Sequence, residues 1–502
     1  DDSTAAINTD TAIGGSGSDS VTVNAGQTLT ILIPLAFGEG DDVLTLGDDA
    51  FLIGGNVTLG AGADQVTLGT GAMIAGNVVG GAGNDRLTLG RFASVGGTFD
   101  GGADVDTVDY SAISSNLTLT LTGLSGTPTD GFTATDGGVT GGLLGIDALI
   151  GGAATDTLVG QSTSNARWTV GATGLYRELS ANLETVDFSG FERLQGGATG
   201  DDFRLSSTAA GVTSINGGTG VDSIEGSTLA DTFNITSLDA GNVTLDSATP
   251  GATITFQSVE ALSGNAGNDR FVLGLNGRVS NAIDGGADID TVAAPNLANA
   301  FVVNGNNAGT LTNTTGVVGF NNVESLEGNS NVDTFTINAG FTLGGNISAG
   351  AASDVVTLQA GAVVTGNISL GDNDDTMTLN AGSQVGGAVT GGAGNDTFTL
   401  TGAGTVAVSS IDGEAGTDRF NLVNAVNVTG TLTGGAGVDT LTTDGTLATT
   451  FVIDQLNSGT LSNRGGARFS TIEDIRAGNG VADTFQFETG GSLDQATLNG
   501  GT

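Results

Sequence analysis

Short runs of alternating apolar and hydroxyl residues recur along the whole chain, separated by turns rich in Gly, Asn and Asp. Leu87-Thr88-Leu89 is one such run, and it follows the turn at 80–85. Alternation with a period of two is typical of a β-strand with one buried face, and Gly, Asn and Asp suit tight turns. The sequence shows essentially no helical periodicity. The pattern therefore predicts an all-β chain of short strands.

The turns repeat at a nearly fixed spacing. Clear copies are GGAGNDRLTL at 80–89, GNAGNDRFVL at 264–273 and GGAGNDTFTL at 391–400. The last Asp of each turn, the anchor Asp, recurs at steps of 21 to 23 residues from Asp19 to Asp106 and of 21 or 22 from Asp333 to Asp439. One such unit cannot bury an apolar face alone, but stacked copies share a core. We expect an elongated parallel β-solenoid, of the β-helix or β-roll kind, with about 21–22 residues per coil.

Five intervals between anchors are about twice as long, and they share a second motif. Four contain Phe-x-x-(Val/Ile/Phe)-Glu before the anchor, which places Glu192, Glu260, Glu324 and Glu473 at the same point, and Asp147 stands there in a degenerate fifth copy. We interpret each long interval as two coils, the second without a Gly-Asp turn. The Glu row either adds to a cation site or faces outward, where it would pair with Arg or cap a turn.

The repeats predict one elongated domain over 1–502. Its parts are short coils at 1–106, mainly double-coil modules at 107–333, short coils at 334–439 and a double-coil module at 440–502 that stops inside a repeat. The final residues 499–502 match the start of the turn at 216–222. We therefore expect that the chain is a piece of a longer protein, or that another subunit continues the stack through an end of the solenoid.

Composition narrows the possible chemistry. There are 88 Gly, no Cys and no His, and all 12 basic residues are Arg, so thiolate, imidazole and Lys chemistry are unavailable. The 54 acidic residues give a net charge of −42, which makes nucleic acid a very poor partner. The apolar fraction of 38% argues against disorder, and no apolar run is long enough to insert into a membrane.

The anchor Asp residues are candidate ligands for Ca²⁺. Glycine in these turns can bring backbone carbonyls inward, and stacked carboxylates about 5 Å apart repel each other unless a cation lies between them. Carboxylate and carbonyl oxygens suit Ca²⁺. The candidate ligands are Asp64, Asp85, Asp106, Asp222, Asp269, Asp290, Asp375, Asp396, Asp418 and Asp439. The alternative is that each Asp only caps its own turn.

The turns at 80–87 and 391–398 resemble the hemolysin-type, or RTX, repeat G-G-x-G-x-D-x-U-x, where U is apolar. That resemblance implies Ca²⁺ between the turns of a parallel β-roll with a repeat every nine residues. This chain departs from it, because only Asp222 and Asp231 are nine residues apart. The coils at 55–90 resemble passenger β-helices of bacterial autotransporters, and the Phe-Glu modules resemble those of large secreted adhesins.

Two rows of side chains have predicted directions. Phe two residues after an anchor is expected in the core, and Thr between the apolar strand positions is expected on the outer surface. The Phe row is Phe203, Phe271, Phe335, Phe398, Phe420 and Phe485, and the Thr rows include Thr45, Thr67, Thr88, Thr357, Thr378 and Thr399. Flat Thr ladders can bind ice or glycans, but an ordinary strand surface is the simpler interpretation.

These features favour a non-enzymatic, Ca²⁺-stabilised rod of a secreted or cell-surface bacterial protein, of adhesin or passenger type. One alternative is a self-assembling subunit of a filament, matrix or surface layer. A third is a polysaccharide-binding or polysaccharide-cleaving β-helix. The adjacent carboxylates that such an enzyme could use are Asp41/Asp42, Asp201/Asp202 and Asp374/Asp375. All three pairs belong to the repeating turn, which argues against an enzyme. The irregular region 107–195, with Trp168, Arg167, Tyr176, Arg177 and Glu178, is the candidate glycan-binding face or enzyme site.

Overall fold

The computed structural model describes residues 5–7, 14–124, 132–135, 138–179, 185–209, 211–246, 251–494 and 498–500. Within these ranges the chain contains strands and no helix. Successive coils pair in parallel at offsets of 21 or 22 residues, as Leu35 does with Val57, Val57 with Val78, and Val78 with Phe99. The predicted all-β parallel solenoid is therefore confirmed. Residues 501 and 502, needed for the predicted end inside a repeat, lie outside the described ranges.

The chain forms two compact units. Unit 1 comprises residues 1–227 and 243–260, and unit 2 comprises residues 228–242 and 261–502. Each is described separately below, and the single elongated domain over 1–502 stays a prediction.

The described strands of unit 1 belong to three sheets. Sheet a contains Leu35–Glu39, Val57–Ala61, Val78–Ala82, Phe99–Ala103, Thr118–Leu124, Phe132–Thr135, Leu143–Ile146, Thr157–Val159, Arg193–Gln195, Ser214–Asn216 and Thr253–Gln257. Sheet b contains Ser20–Val23, Val43–Leu46, Gln65–Leu68, Arg86–Leu89, Thr107–Asp109, Ala148–Ile150, Ala166–Val170, Gly174–Glu178, Thr185–Ser189, Asp201–Leu205 and Ser223–Glu225. Sheet c contains Ala5–Ile7, Thr28–Ile31, Phe51–Gly54, Met73–Ile74 and Ser94–Val95.

Unit 2 is built from two sheets. Sheet d contains Thr232–Ser237, Arg270–Leu273, Thr291–Ala293, Ser325–Asn329, Thr342–Leu343, Ile347–Ala351, Val363–Val364, Ile368–Asp372, Gln384–Ala393, Thr405–Gly416, Asn427–Thr433, Ala436–Gly437, Thr450–Gln455, Ser458–Leu461, Arg468–Ser470 and Thr484–Phe487. Sheet e contains Ala261–Ser263, Ala282–Asp284, Ala300–Gly305, Ala308–Asn313, Gly316–Asn321, Thr334–Ile337, Val355–Leu358, Thr376–Asn380, Thr397–Thr401, Arg419–Val423, Thr440–Thr443, Asp474–Arg476 and Leu498–Asn499. The remaining strand, Ala240–Thr244, lies where the chain passes between the units.

The alternating pattern sets which side chains fill the core. Leu87 and Leu89 are buried on the inner face of their strand, and Thr88 between them is partly exposed. Burying one such Leu contributes about 1.5–3 kcal/mol, so stacking many coils provides most of the driving force. The Thr rows run in register along the outer face, for example Thr45, Thr67 and Thr88, as the pattern predicts.

The predicted Phe row forms stacked pairs in the core. Phe271 stacks on Phe233 with ring centroids 4.8 Å apart, and Phe398 stacks on Phe420 at 5.1 Å. Five of the six predicted rings are fully buried, while Phe485 is partly exposed and stacks on Phe451 at 5.0 Å. Parallel stacking at this spacing follows from placing Phe at the same register position in paired strands. The core assignment is confirmed.

The prediction that each long interval consists of two plain coils needs correction, because the described residues form an antiparallel meander in four of the five intervals. The intervals 106–156, 156–201, 290–333 and 439–483 each include an antiparallel three-stranded meander. In 290–333 the strands are Ala300–Gly305, Ala308–Asn313 and Gly316–Asn321. Tight turns reverse the chain where a residue such as Asn307 takes a positive φ of 52°.

Candidate functional site

The anchor Asp residues form buried hydrogen-bonded ladders along the corner of the coils. The backbone N–H of Asp64 donates to Oδ1 of Asp85, and the N–H of Asp85 donates to Oδ1 of Asp106, each at 2.8 Å. In unit 1 the same bond links every anchor from Asp19 to Asp106. In unit 2 it links every anchor from Asp333 to Asp439, at 2.6–2.8 Å. Each coil therefore fixes the corner of its neighbour through one carboxylate oxygen.

The Glu residues of the long intervals end these ladders. The N–H of Asp222 donates to Oε2 of Glu260 at 2.8 Å, and the N–H of Asp439 donates to Oε2 of Glu473 at 2.9 Å. Asp156 donates in the same way to Glu192, Asp290 to Glu324, and Asp106 to Asp147. The Glu row thus caps turns, one of the two outward roles predicted, but the turn it caps belongs to the neighbouring coil.

The second carboxylate oxygen of most anchors is buried without a hydrogen-bond partner among the described residues. These Oδ2 atoms belong to Asp42, Asp64, Asp85, Asp106, Asp222, Asp269, Asp290, Asp354, Asp375, Asp396, Asp418, Asp439 and Asp483. All ten predicted metal ligands are in this set. Seven lie in the two ladders described above, and Asp222, Asp269 and Asp290 accept an N–H from the preceding anchor in the same way. A buried, unpartnered carboxylate oxygen costs free energy, so each demands a physical explanation.

The backbone four residues before the anchor decides whether Oδ2 has a partner. The N–H groups of Gly152, Gly197 and Asn329 donate to Oδ2 of Asp156, Asp201 and Asp333 at 2.5, 2.7 and 2.9 Å. None of these three donors has a positive φ. At twelve of the thirteen anchors without a partner, the corresponding residue does have a positive φ, as Gly81 (127°) and Gly392 (105°) do. The exception is Asp483.

The first glycine of the motif makes room for the anchor carboxylate. A Cβ on Gly80 would overlap Oδ2 of Asp85 and the carbonyl oxygen of Gly101. Gly413 and Gly434 stand in the same relation to Asp418 and Asp439. The spacing G-G-x-G-x-D therefore follows from packing as well as from backbone conformation.

Burial raises the pKa of the carboxyl group in each of the ten predicted ligands. The pKa rises to about 7 for Asp85, Asp106 and Asp375, to about 8 for Asp269, and to about 6 for Asp222, Asp290, Asp396, Asp418 and Asp439. The pKa of Asp64 is also raised. Desolvation is the largest cause; the N–H bond from the preceding anchor opposes it, and repulsion from neighbouring carboxylates adds to it. A bound proton or cation would reduce the free-energy cost of burying these charges.

The ladders offer Ca²⁺ suitable oxygen ligands, but these ligands do not form a complete coordination sphere. Each unpartnered Oδ2 is a hard, anionic oxygen of the kind that Ca²⁺ prefers. However, no three Asp or Glu side chains converge on one point anywhere in the described ranges. The fit to Ca²⁺ therefore rests on the unpartnered oxygens spaced one coil apart.

The three carboxylate pairs considered for an enzyme do not act as pairs. Asp42 lies buried in the ladder, while the exposed Asp41 accepts the N–H of Ala63 at 2.8 Å. Asp375 and Asp374 divide in the same way. Asp201 is buried, and Asp202 binds Arg167 and Arg204. Asp201 and Asp202 are successive residues of a strand and therefore point to opposite faces, and in the other two pairs one carboxylate is buried and the other exposed.

The five side chains named as a glycan-binding or enzyme site within 107–195 do not form an exposed binding face. Trp168 and Tyr176 are fully buried, and Glu178 is 2% exposed. Trp168 stacks on Phe203 at 5.5 Å and contacts Tyr176 edge-on at 4.6 Å. Arg167 pairs with Asp202, and Arg177 is half-buried. The large aromatic rings fill the core where the coil is irregular, so they cannot form a binding platform.

Comparison with known proteins adds little. No family model matches the chain, and no curated protein matches it. A solved structure that does match is the X-ray crystal structure of a hyperactive, Ca²⁺-dependent, β-helical antifreeze protein from an Antarctic bacterium. It is 16% identical, covers 78% of this chain and 86% of that chain, and has a TM-score of 0.15. A score this low carries no argument, and the fold rests on the strand pairing.

The described residues contain no helix long and apolar enough to cross a membrane.

Proposed function

We propose that the chain is a non-enzymatic structural scaffold of a secreted or cell-surface bacterial protein, of adhesin or passenger type. The observation that carries this proposal is the ladder from Asp333 to Asp439, in which every coil binds the next through the same buried carboxylate. An active site would interrupt such a repeat at one point, whereas these carboxylates all serve the backbone. The resemblance to RTX, passenger and adhesin repeats supports the location outside the cell.

We further propose that Ca²⁺ stabilises the ladders. The ligands would be the ten predicted anchors, whose Oδ2 atoms are buried and unpartnered among the described residues. Bound Ca²⁺ would supply the positive charge that these ionised carboxylates lack in the protein itself. The proton is the competing partner, because desolvation raises the pKa of the same groups.

Two measurements test the structural role. The purified protein is incubated with a panel of neutral and acidic polysaccharides, and release of reducing ends is followed; we expect none. Hydrolysis that disappears in Asp41→Asn or Asp374→Asn would overturn the non-enzymatic assignment. Protease treatment of intact source cells should degrade the protein, and protection until the cells are lysed would overturn the surface location.

The self-assembling alternative and the predicted contacts through the solenoid ends stay predictions. Electron microscopy of the protein in Ca²⁺ separates them from the main proposal, because filaments or lattices would favour self-assembly and isolated particles would not.

A further inference from the structure

A polar groove crosses sheet a of unit 1. Its volume is about 500 Å³, and its lining includes Thr157, Arg193, Gln195, Ser214, Asn216 and Gln257. The strand Ser214–Asn216 lies between Arg193–Gln195 on one side and Thr253–Gln257 on the other. Short side chains on the middle strand and long ones on its neighbours create the depression.

The groove presents a column of amide groups. Gln195 pairs in register with Asn216, which pairs with Gln257, so the three amides are spaced about 4.8 Å apart from strand to strand. The side chains of Gln195 and Gln257 are exposed, and in the described part of the chain neither makes a hydrogen bond. Asn216 accepts the N–H of Gly218 through Oδ1 at 3.2 Å, which leaves its NH₂ group without a protein partner in the same ranges.

Arg193 is an exposed cation without a carboxylate partner among the described residues. Arg86, Arg204, Arg270 and Arg476 pair with Asp or Glu, whereas Arg193, like Arg91, Arg278 and Arg419, has no such ion pair among the described residues. The strand neighbours of Arg193 are Thr157 and Ser214, which carry no charge. Its guanidinium fork is therefore available to a carboxylate from outside the protein.

A second depression of about 350 Å³ adjoins the first through Gln195. Its polar lining includes Thr120, Thr122 and Ser162. Together the two form an open, polar surface longer than a single small ligand requires. Hydroxyl and amide groups predominate in the first groove, and among the described residues no aromatic ring lines either depression, so the surface lacks the aromatic anchor that a protein partner usually needs.

We propose that this groove binds an anionic polysaccharide, with Arg193 holding the carboxylate of one acidic sugar residue and the amides of Gln195, Asn216 and Gln257 binding sugar hydroxyls. The net charge of −42 repels polyanions, so binding rests on these short-range contacts, since physiological salt screens the more distant carboxylates. The inference does not depend on the structural role proposed above, since a scaffold with or without Ca²⁺ would carry the same groove.

Unit 2 provides a control groove. A groove of about 370 Å³ on sheet d is lined by Thr365, Gln384, Ser409 and Thr429, with no cation in its lining. It is smaller and less polar than the groove at Arg193, since Val363, Val385 and Val408 also line it, and it lacks the proposed recognition of charge.

The test is binding of the full chain to polygalacturonate, to its neutral methyl ester and to the galacturonate monomer, measured calorimetrically in EDTA so that Ca²⁺ cannot bridge polymer and protein. Arg193→Gln should weaken binding to polygalacturonate by about 10- to 100-fold, the worth of a charge-assisted hydrogen bond. Gln384→Ala should leave binding unchanged, and the methyl ester should bind as weakly as Arg193→Gln binds the acid. Unchanged melting of Arg193→Gln confirms that the exposed substitution leaves the fold intact.

Three outcomes would overturn the proposal: no binding of the acidic polymer to the unaltered protein, equal binding by Arg193→Gln, or an equal loss in Gln384→Ala. Monomer binding as tight as that of the polymer would overturn the assignment to a polysaccharide and indicate a small carboxylate instead.

Discussion

Gly197 donates its backbone N–H to Oδ2 of Asp201 at 2.7 Å, whereas one coil further along the same ladder Gly218, at φ 105°, leaves Oδ2 of Asp222 unpartnered among the described residues. The two anchors are directly linked, since the N–H of Asp201 donates to Oδ1 of Asp222 at 2.7 Å. Two identical residues at equivalent positions thus produce one carboxylate whose Oδ2 accepts a hydrogen bond and one whose Oδ2 does not, while desolvation raises the pKa of both, to about 7 for Asp201 and about 6 for Asp222. This pair provides an internal comparison for the ladder.

Replacing either anchor by Asn should have opposite effects at neutral pH. In Asp222→Asn the Oδ1 acceptor is kept and a buried, unpartnered charge is removed, so stability in EDTA should stay the same or rise. In Asp201→Asn an NH₂ group replaces the acceptor of the Gly197 N–H, which should destabilise the fold by about 1–3 kcal/mol. Thermal and urea unfolding at pH 7.5 measure both. Equal losses in the two variants would show that Oδ2 of Asp222 has a partner after all.

Stability without divalent cations should fall as the pH rises from 4.5 to 8.5. Desolvation raises the pKa of Asp85, Asp269 and Asp439 to about 7, 8 and 6, so the folded protein holds these protons more tightly than the unfolded chain, where the ordinary value is 3.8. This stabilisation is fully present below pH 3.8 and is lost as the pH passes through about 6 to 8. Melting temperatures in EDTA across this range measure it. A flat or rising profile would contradict a row of desolvated carboxylates.

At neutral pH, Ca²⁺ should restore the stability that is lost when the anchor carboxyls lose their protons. We expect millimolar Ca²⁺ to raise the melting temperature at pH 7.5 and to have little effect at pH 4.5, where protons compete for the same oxygens. Mg²⁺ is the control cation, because it demands a regular octahedral site that one oxygen per coil does not supply. If EDTA and Ca²⁺ leave the melting temperature at pH 7.5 unchanged, the anchors are structural and the calcium proposal fails.

The period of the anchors predicted the fold because each coil repeats the same physical requirements. Each coil has two buried apolar residues such as Leu87 and Leu89, a corner carboxylate such as Asp85, and a glycine that makes room for the carboxylate. Because these elements recur at one spacing, the pairing register between coils could be predicted from that spacing. All ten candidate ligands could be found in this way, since each stands at the same point of the turn.

Other features did not follow from the period. The meanders occupy about one coil length, so counting residues could not separate them from a plain coil, although Asn307 and Asn457, with φ of 52° and 54°, mark reversals of the chain. The role of Glu260 depends on which coil lies beside it, a property of tertiary packing. The conformation of the turn before Asp201 did leave a signal: Thr199 stands where Asp222 has Gly220 at φ 133°, and a β-branched residue avoids positive φ.

The packing role of the first turn glycine leads to the last prediction. Gly80→Ala places a methyl group against Oδ2 of Asp85 and the backbone of Gly101, neither of which can move without disturbing the ladder. We expect a loss of about 1–3 kcal/mol in the free energy of unfolding. Gly17→Ala is the matched control, because a Cβ there meets nothing within 4 Å and the residue has no positive φ, so it should change stability by less than about 0.5 kcal/mol.

Urea unfolding of both variants at pH 5, where the anchors are largely protonated, and at pH 7.5 separates steric overlap from charge. A loss that is the same at both values indicates overlap alone, and a larger loss at pH 7.5 indicates that the methyl group also excludes the partner of the ionised carboxylate. A Gly80→Ala protein as stable as Gly17→Ala at both values would mean that the glycine of the motif is not required for packing.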